Sequence, residues 1–237
     1  MPDKGRYLDK TAIRNAATII VLRNRTTNPT VLMGQRGAGA AFMPNKFVFP
    51  GGAVDPNDAL VPTAHPLSPD CAARLSEATQ LPAEALAAAA IRELWEETGL
   101  ILGAPGKWQD PAPQGWRGFS RTGNLPDPSA LRFVFRAVTP EGEPRRFDAR
   151  FFLVEADQII SDLDDFSGAE DELAHLQWVP LDQARHYDLP FITEVVLAEI
   201  ARNLGSASQP ATVPFFRNED EAHFVARLGG QRPLDRI

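Results

Sequence analysis

Residues 82–98, PAEALAAAAIRELWEET, give the strongest helix signal in the sequence and set the first constraint on the fold. Nearly every residue favours a helix, proline stands in the first turn where its missing N–H is not needed, and Gly99 follows as a C-terminal stop. A stripe of apolar and small side chains recurs at helical spacing, so one side of this helix is expected to pack on a core. The stripe comprises Ala87, Ala90, Ile91, Leu94 and Thr98.

The same helix carries three glutamates on another face. Glu93, Glu96 and Glu97 stand at positions i, i+3 and i+4, where like charges cost roughly 0.2–0.5 kcal/mol per pair. They also lie in the last two turns, where the helix dipole favours cations by about 0.3–1 kcal/mol each. A divalent cation such as Mg²⁺, which prefers oxygen ligands, would convert this repulsion into coordination. The alternative is a solvated acidic face that is partly neutralised by pairing of Arg92 with Glu96.

The segment RELWEETGL, residues 92–100, resembles the second half of the Nudix box at every position, and the preceding FPGG, residues 49–52, resembles the usual lead-in. The first half of the box departs from the family pattern. Gly52 and Arg92 are 40 positions apart where the family spacing gives 14, so 26 extra residues split the box. Counting forward from Gly52, the early glutamate position holds Asp58, which either takes that role or simply begins the insertion.

A split box is similar to the Nudix branch that contains coenzyme A diphosphatases of the peroxisomal type. Residues 32–58 and 144–152 also resemble that branch, although Asn45-Lys46 replaces the Gly-Gln pair of other coenzyme A enzymes. The resemblance implies a hydrolase that cleaves the diphosphate bond of a nucleoside diphosphate derivative, with coenzyme A or acyl-coenzyme A as the finer expectation. Two alternatives stay open. One is a pyrophosphatase for ADP-ribose, NADH or nucleoside triphosphates, and the other is a Nudix-fold module that senses a nucleotide with little or no catalysis.

The expected fold class is α/β (α+β), and the resemblance implies a Nudix fold with a mixed β-sheet sandwiched between α-helices. We expect a single domain over residues 1–237, with an insertion at about 57–81 and a C-terminal extension at about 205–237. Residues 12–22 and 30–36 are rich in β-branched side chains and predict a hairpin. Further strands are predicted at 46–49, 130–138, 148–155 and 173–179, helices at 182–187 and 191–204, and irregular segments at 52–81 and 103–128.

The resemblance also implies the metal centre. Glu93, Glu96 and Glu97 would bind Mg²⁺ or Mn²⁺, with a backbone carbonyl near Gly51, and these glutamates together with Arg92 would form the catalytic set. Arg92 would orient the glutamates through ion pairs. The general base stays open between Glu97 and a carboxylate of the run Glu170, Asp171 and Glu172, whose alternative interpretation is a solvated acidic loop.

Substrate phosphates are expected to bind arginines, because guanidinium groups match phosphate oxygens. The predicted substrate-binding residues are Arg36, Gly51, Gly52, Arg145, Arg146 and Arg150. For about half of the arginines in this set, the alternative is a surface arginine that binds no ligand. Trp108, Trp116 and Phe119 lie in the segment 103–128 and either stack on a base or, as we favour, anchor the segment to the core. His175 and His186 show no metal-ligand spacing.

Composition bounds the partners. The net charge is −7, and the sequence lacks the clustered basic residues of a nucleic-acid-binding domain. An acidic surface also disfavours binding to anionic membranes. No apolar run is long enough to span a bilayer, and residues 1–10 lack the apolar core of a signal peptide. Cys71 is the single cysteine and fits a reducing compartment, and the final Asp-Arg-Ile is no peroxisomal tripeptide. We expect a cytoplasmic protein with a small-molecule substrate, no nucleic-acid or membrane partner, and a homodimer as an open possibility.

Overall fold

The computed structural model describes residues 12–40, 42–77, 79–108, 111–219 and 222–228. The strands are β1 Ile13–Arg23, β2 Thr30–Arg36, β3 Phe47–Val48, β4 Gly51–Ala53, β5 Gly103–Pro105, β6 Asn124–Pro126, β7 Arg132–Val138, β8 Arg146–Glu155, β9 Leu173–Pro180, β10 Val213–Glu219 and β11 Ala222–Leu228. The helices are α1 Pro69–Leu75, α2 Ala83–Thr98, α3 Arg117–Ser120 and α4 Phe191–Arg202, and short 3₁₀ turns lie at Pro56–Leu60, Ala156–Gln158 and Ala184–His186.

One mixed sheet organises the molecule. Its main path runs β11-β10-β7-β8-β1-β2-β3, with β4 paired to β1 and β9 paired to β2. Strands β1 and β2 are antiparallel, which confirms the predicted hairpin, whereas β1 and β8 are parallel over ten residue pairs. β1 therefore lies in the interior of the sheet, with β8 on one side and β2 and β4 on the other.

Helices cover the two faces of this sheet. Because side chains alternate along a strand, Ile19 and Val21 of β1 pack with α2 on one face. Ile20 and Leu22 pack with α4 on the other face. The expected arrangement of a mixed sheet between helices is confirmed.

Helix α2 agrees with the predicted helix to within one residue, and Gly99 caps it in the left-handed conformation with φ of 77°. The predicted stripe is buried, but Ala85, Leu86, Ala88 and Ala89 are buried as well. The helix is covered on more sides than its stripe predicts because α1 and the aromatic residues of segment 103–128 join the same core.

Two segments predicted as irregular contain regular structure, so these predictions were wrong. Residues 52–81 include the 3₁₀ turn Pro56–Leu60 and helix α1, in which Ser68 caps the amide of Cys71 and Pro69 occupies the first turn. Residues 103–128 include the β5–β6 pair and α3, and Trp116 and Phe119 are fully buried there. These rings anchor the segment to the core, as the favoured interpretation predicted.

Other boundaries differ less. The predicted helix at 182–187 is only the 3₁₀ turn Ala184–His186, because three residues within a tight connection cannot complete an α-helical turn. The tail forms β10, which pairs in parallel with β7, and β11, so it continues the sheet. Predictions on residues 1–10 and 235–237 fall outside the described residues. Within the described part of the chain, every helix is too short or too polar to traverse a bilayer.

Candidate active site

Glu97 lies at the C-terminal end of α2, beside strand β4, and is only 2% exposed. The backbone amide of Gly51 donates a 2.7 Å hydrogen bond to Oε2 of Glu97. Its other oxygen, Oε1, is buried and has no hydrogen-bond partner among the described residues. Burial, reinforced by the charge of Glu93, holds the pKa of Glu97 well above its usual range. A buried carboxylate oxygen without a donor is a costly arrangement that a cation would relieve.

Glu93 packs one turn earlier against strand β4. A Cβ atom on Gly52 would lie 2.5 Å from the carboxylate atoms of Glu93, so only glycine leaves room for this carboxylate. Burial raises the pKa of Glu93 to about 7, although the neighbouring Arg92 opposes the shift. The structure thus brings Glu93 and Glu97 together at the Gly51–Gly52 strand.

Arg92 is buried and organises the carboxylates around it. Its Nη1 donates to Oε1 of Glu93 at 2.8 Å and to Oε2 of Glu96 at 2.9 Å. Its Nη2 also donates to the carbonyl oxygen of Ala53 at 2.9 Å, which ties the helix to the end of β4. The orienting contacts expected of Arg92 are therefore present, together with the pairing to Glu96.

Asp58 completes this network from the start of the insertion and is 2% exposed. Nε and Nη2 of Arg92 donate to its two carboxylate oxygens at 3.0 and 3.1 Å. The indole Nε1 of Trp116 donates to Oδ1 of Asp58 at 2.9 Å. Asp58 therefore does more than begin the insertion, because it fixes the guanidinium that holds two of the helix glutamates. Sequence reasoning missed Trp116 in this role, and no local pattern relates it to Asp58.

Glu96 shares the Nη1 group of Arg92 with Glu93, so one guanidinium nitrogen bridges the two carboxylates. Partial burial raises the pKa of Glu96, with Arg92 opposing the shift and the charge of Glu170 adding to it. The carbonyl oxygen of Glu96 accepts a 2.8 Å hydrogen bond from the amide of Glu170. Among the described residues, no three His, Cys, Asp or Glu side chains are already gathered as a metal site. Glu93 thus lies between the other two predicted metal ligands, because it shares Arg92 with Glu96 and its charge acts on Glu97.

A cleft of about 720 Å³ opens beside this pair, on the sheet face opposite α2. Ala16 and Thr18 of β1 and Ala149 and Phe151 of β8 line its floor. The lining also includes charged side chains and two glycines, namely Glu93, Arg36, Glu172, Gly51 and Gly52. Its apolar part includes Phe42, Phe147, Phe151, Phe191 and Phe216. The cleft is thus lined by both charged groups and aromatic side chains.

The predicted arginines separate into two groups. Arg36 lines the cleft and donates to Oε1 of Glu172 at 3.0 Å, and Arg145 also lines the cleft. Arg146 instead donates its Nε to the carbonyl of Thr139 and lies 3.7 Å from Glu141, and Arg150 lies on the opposite face of the sheet. Arg14, which sequence reasoning missed, also lines the cleft. The two-residue alternation that places it on the same side of β1 as Ala16 could have identified it.

The acidic run before β9 is likewise divided. Glu172 lines the cleft, so it is the member that reaches the polar part of the site. The Glu170 amide donates a hydrogen bond to the carbonyl oxygen of Glu96 near the end of α2, and the side chain of Asp171 is exposed. Gly168 packs against Gly99 at the helix C-terminus, with its Cα 3.1 Å from the point where a Cβ of Gly99 would lie. This close approach brings the acidic run beside the carboxylate helix.

Comparison with known proteins gives a family match over most of the chain. The model described as NUDIX domain matches residues 13–200. A Caenorhabditis elegans protein named "Putative nudix hydrolase 7" is 26% identical over 223 residues, which cover 83% of this chain and 66% of that protein. The chain therefore spans slightly less than two thirds of that relative.

Solved structures are similar at the level of the fold. The crystal structure of a NUDIX hydrolase from Alicyclobacillus acidocaldarius has 28% sequence identity and a TM-score of 0.58, over 84% of this chain and 99% of that chain. The NUDIX domain of Shewanella oneidensis NrtR in complex with ADP ribose has 12% identity and a TM-score of 0.47, over 84% of this chain and 94% of that chain. A similarity as low as that to the NrtR domain gives no information about a ligand of this chain.

Proposed function

Because this chain belongs to the NUDIX domain family, we propose that it is a metal-dependent hydrolase that cleaves the diphosphate bond of a nucleoside diphosphate derivative. One observation carries the proposal. Two buried carboxylates, Glu93 and Glu97, contact the Gly51–Gly52 strand, Glu93 lines the cleft, and Oε1 of Glu97 has no donor among the described residues. Groups with strongly perturbed pKa values in a cleft are characteristic of functional sites.

The donor set fits a hard divalent cation, because it consists of carboxylate oxygens that repel one another. Glu93, Glu96 and Glu97 would hold the ion, and the contacts of Arg92 position the carboxylates of Glu93 and Glu96. When bound, Mg²⁺ or Mn²⁺ would neutralise developing charge on the diphosphate and lower the pKa of a bound water. We expect Mn²⁺ to raise the thermal midpoint of the parent chain but not that of a Glu93→Gln variant. This comparison would support the assignment independently of turnover.

The chain's own residues position the reacting groups. Arg92, fixed by Asp58, holds the carboxylates of Glu93 and Glu96 in place. Arg36 and Arg145 line the cleft and offer guanidinium donors to phosphate oxygens. Glu172 also lines the cleft and is the member of the acidic run best placed to accept a proton from the attacking water. The 3.0 Å salt bridge to Arg36 orients this carboxylate.

For the substrate, coenzyme A or acyl-coenzyme A is the finer proposal. The cleft has the volume of a small-molecule site, which is typically about 300–1,000 Å³. Its arginines suit a molecule with several phosphate groups, and its aromatic part suits an apolar arm or a base. Coenzyme A combines these features, and the split box supports the same branch of the family.

A substrate panel read by mass spectrometry tests both levels of the proposal. We expect Mg²⁺- or Mn²⁺-dependent release of 3′,5′-ADP and phosphopantetheine from coenzyme A. Turnover of ADP-ribose, NADH or a nucleoside triphosphate instead would keep the hydrolase and replace the substrate. Absence of product from every panel member with metal present would contradict the hydrolase proposal. Tight nucleotide binding by calorimetry would then favour a sensor.

A further inference from the structure

A second cavity, of about 550 Å³, lies on the sheet face opposite the cleft. It is lined by Asn15, Thr79, Gln80, Arg136, Asp148 and Arg150. In β1, β7 and β8 these residues alternate with residues that line the cleft, such as Ala16, Ala137 and Ala149. Because successive side chains of a strand point to opposite faces, the two cavities are separated by the sheet.

Two buried arginines and one carboxylate are among the residues that line this cavity. Arg150 is 1% exposed and Arg136 is 5% exposed, while Asp148 is the single carboxylate that lines the cavity. Arg136 makes a two-bond contact with Asp148, at 2.9 Å from Nε and 2.7 Å from Nη2. Nη1 of Arg150 lies 3.1 Å from the same carboxylate. One carboxylate therefore serves two guanidinium groups.

Arg150 retains hydrogen-bonding capacity. Its Nη1 donates to Oδ1 of Asn15 and to the carbonyl of Asp148, each at 2.7 Å, and its Nη2 donates to Oγ1 of Thr79 at 3.1 Å. A guanidinium group has five N–H donors. Nε of Arg150 has no acceptor among the residues that the structure describes. Burial lowers the pKa of Arg150 to about 10, so the group stays charged at neutral pH.

The insertion that splits the Nudix box builds one wall of the cavity. Thr79 and Gln80 follow helix α1, and Nη1 of Arg136 donates to the carbonyl of Glu77 at 3.2 Å. Thr79 contacts Arg150 directly, whereas Gln80 is exposed and lines the opening. The insertion therefore brings polar groups to two buried arginines of the central sheet.

We propose that this cavity binds a small anion that carries a phosphate group, at a site separate from the catalytic cleft. Arg150 is buried, shares the Asp148 carboxylate with Arg136 and has an N–H without an acceptor among the described residues, and an anion would accept from it. Guanidinium groups match tetrahedral oxyanions through paired N–H donors, and the side-chain amide of Gln80 can add a donor at the opening.

Binding of inorganic phosphate to the whole chain, in EDTA and at constant ionic strength set with NaCl, tests this proposal. We expect a saturable rise of the thermal midpoint with phosphate concentration. Gln80→Glu places a carboxylate at the opening and is expected to weaken phosphate binding about tenfold or more, because like charges repel strongly at a binding site. Gln80→Lys is expected to tighten binding. Both changes lie at an exposed side chain and leave the buried arginines in place.

Two variants distinguish this cavity from the cleft. Gln183→Glu makes the same substitution at an exposed residue outside both cavities and is expected to bind phosphate as the parent chain does. Arg145→Gln removes a cation from the cleft and is also expected to leave binding unchanged. Loss of binding in Arg145→Gln with unchanged binding in Gln80→Glu would assign phosphate to the cleft and overturn the proposal. Absence of any saturable shift would overturn it as well.

Discussion

The carboxylate of Glu93 occupies the space that a side chain on Gly52 would need, since a Cβ there would lie 2.5 Å from its atoms. Gly51 adds a backbone hydrogen bond to Glu97 from the same strand. Two adjacent glycines therefore place both buried carboxylates of α2 against β4, and Glu93 lines the cleft beside them. The geometry of the site depends on backbone space as much as on the carboxylates themselves.

Gly52→Ala is expected to lower kcat/KM about 100-fold, because a displacement of about 1 Å at a catalytic group has effects of this size. The added methyl group must push the Glu93 carboxylate away from the strand. Gly39→Ala is the matched control, because a Cβ on Gly39 meets nothing within 4 Å. Steady-state rates with Mg²⁺ and with Mn²⁺ measure the effect, and equal rates for the two variants would contradict it.

Glu97→Gln is expected to lower the rate about 10²–10⁴-fold while the fold is preserved. The amide oxygen can still accept the hydrogen bond from Gly51, but the ligand charge is lost. Because no buried charge remains at this position, the metal-free variant should be at least as stable at pH 7 as the parent chain. Glu84→Gln, at an exposed residue in the first turn of the same helix, should leave the rate unchanged. An unchanged rate for Glu97→Gln would remove Glu97 from the mechanism.

Asp58→Asn should destabilise the protein by about 2–4 kcal/mol, because it leaves the buried Arg92 without its main counter-charge. The amide can keep an acceptor for Trp116, so the loss reports chiefly on charge. Activity should fall as well, because Arg92 would be less firmly held beside Glu93 and Glu96. Urea unfolding measures stability, and Asp182→Asn at an exposed side chain is the control. A similar small loss for both variants would show that Asp58 is not needed to hold Arg92.

The stability of the metal-free protein should fall as pH rises from about 4.5 to about 7. Burial raises the pKa of Glu93 from its ordinary 4.5 to about 7. In this window the unfolded chain has lost the proton that folded Glu93 still holds, so the folded state is progressively disfavoured. Urea unfolding in EDTA at several pH values measures the trend. Glu93→Gln should flatten it, and identical profiles for both proteins would contradict the assignment.

Cys71 should be unreactive in the folded protein. Its side chain is fully buried, and burial raises the pKa of the thiol to about 12, so the reactive thiolate is scarce at neutral pH. Because Cys71 is the single cysteine, a thiol reagent should label none of the native chain and one equivalent after unfolding in urea. Rapid labelling of the native protein would show that the α1 region opens readily.

Local spacing in the sequence was sufficient to predict the central elements of the site. Residues 82–98 are mostly helix-forming types and are followed by Gly99, which predicted α2. The i, i+3, i+4 positions of Glu93, Glu96 and Glu97 predicted that these three residues share its acidic side. These properties depend on residues within a few positions of one another. Periodicity alone therefore determines them, whatever the rest of the chain does.

Only the tertiary structure decided which partners those side chains meet. Asp58 reaches Arg92 across 34 positions and Trp116 reaches Asp58 across 58 positions, and neither contact follows from a local pattern. Alternation along β8 places Arg150 on the opposite face from Phe151, but it does not decide which face forms the cleft and which the second cavity. That choice depends on how α2, α4 and the insertion cover the sheet, because burial free energy is gained only when distant parts of the chain pack together.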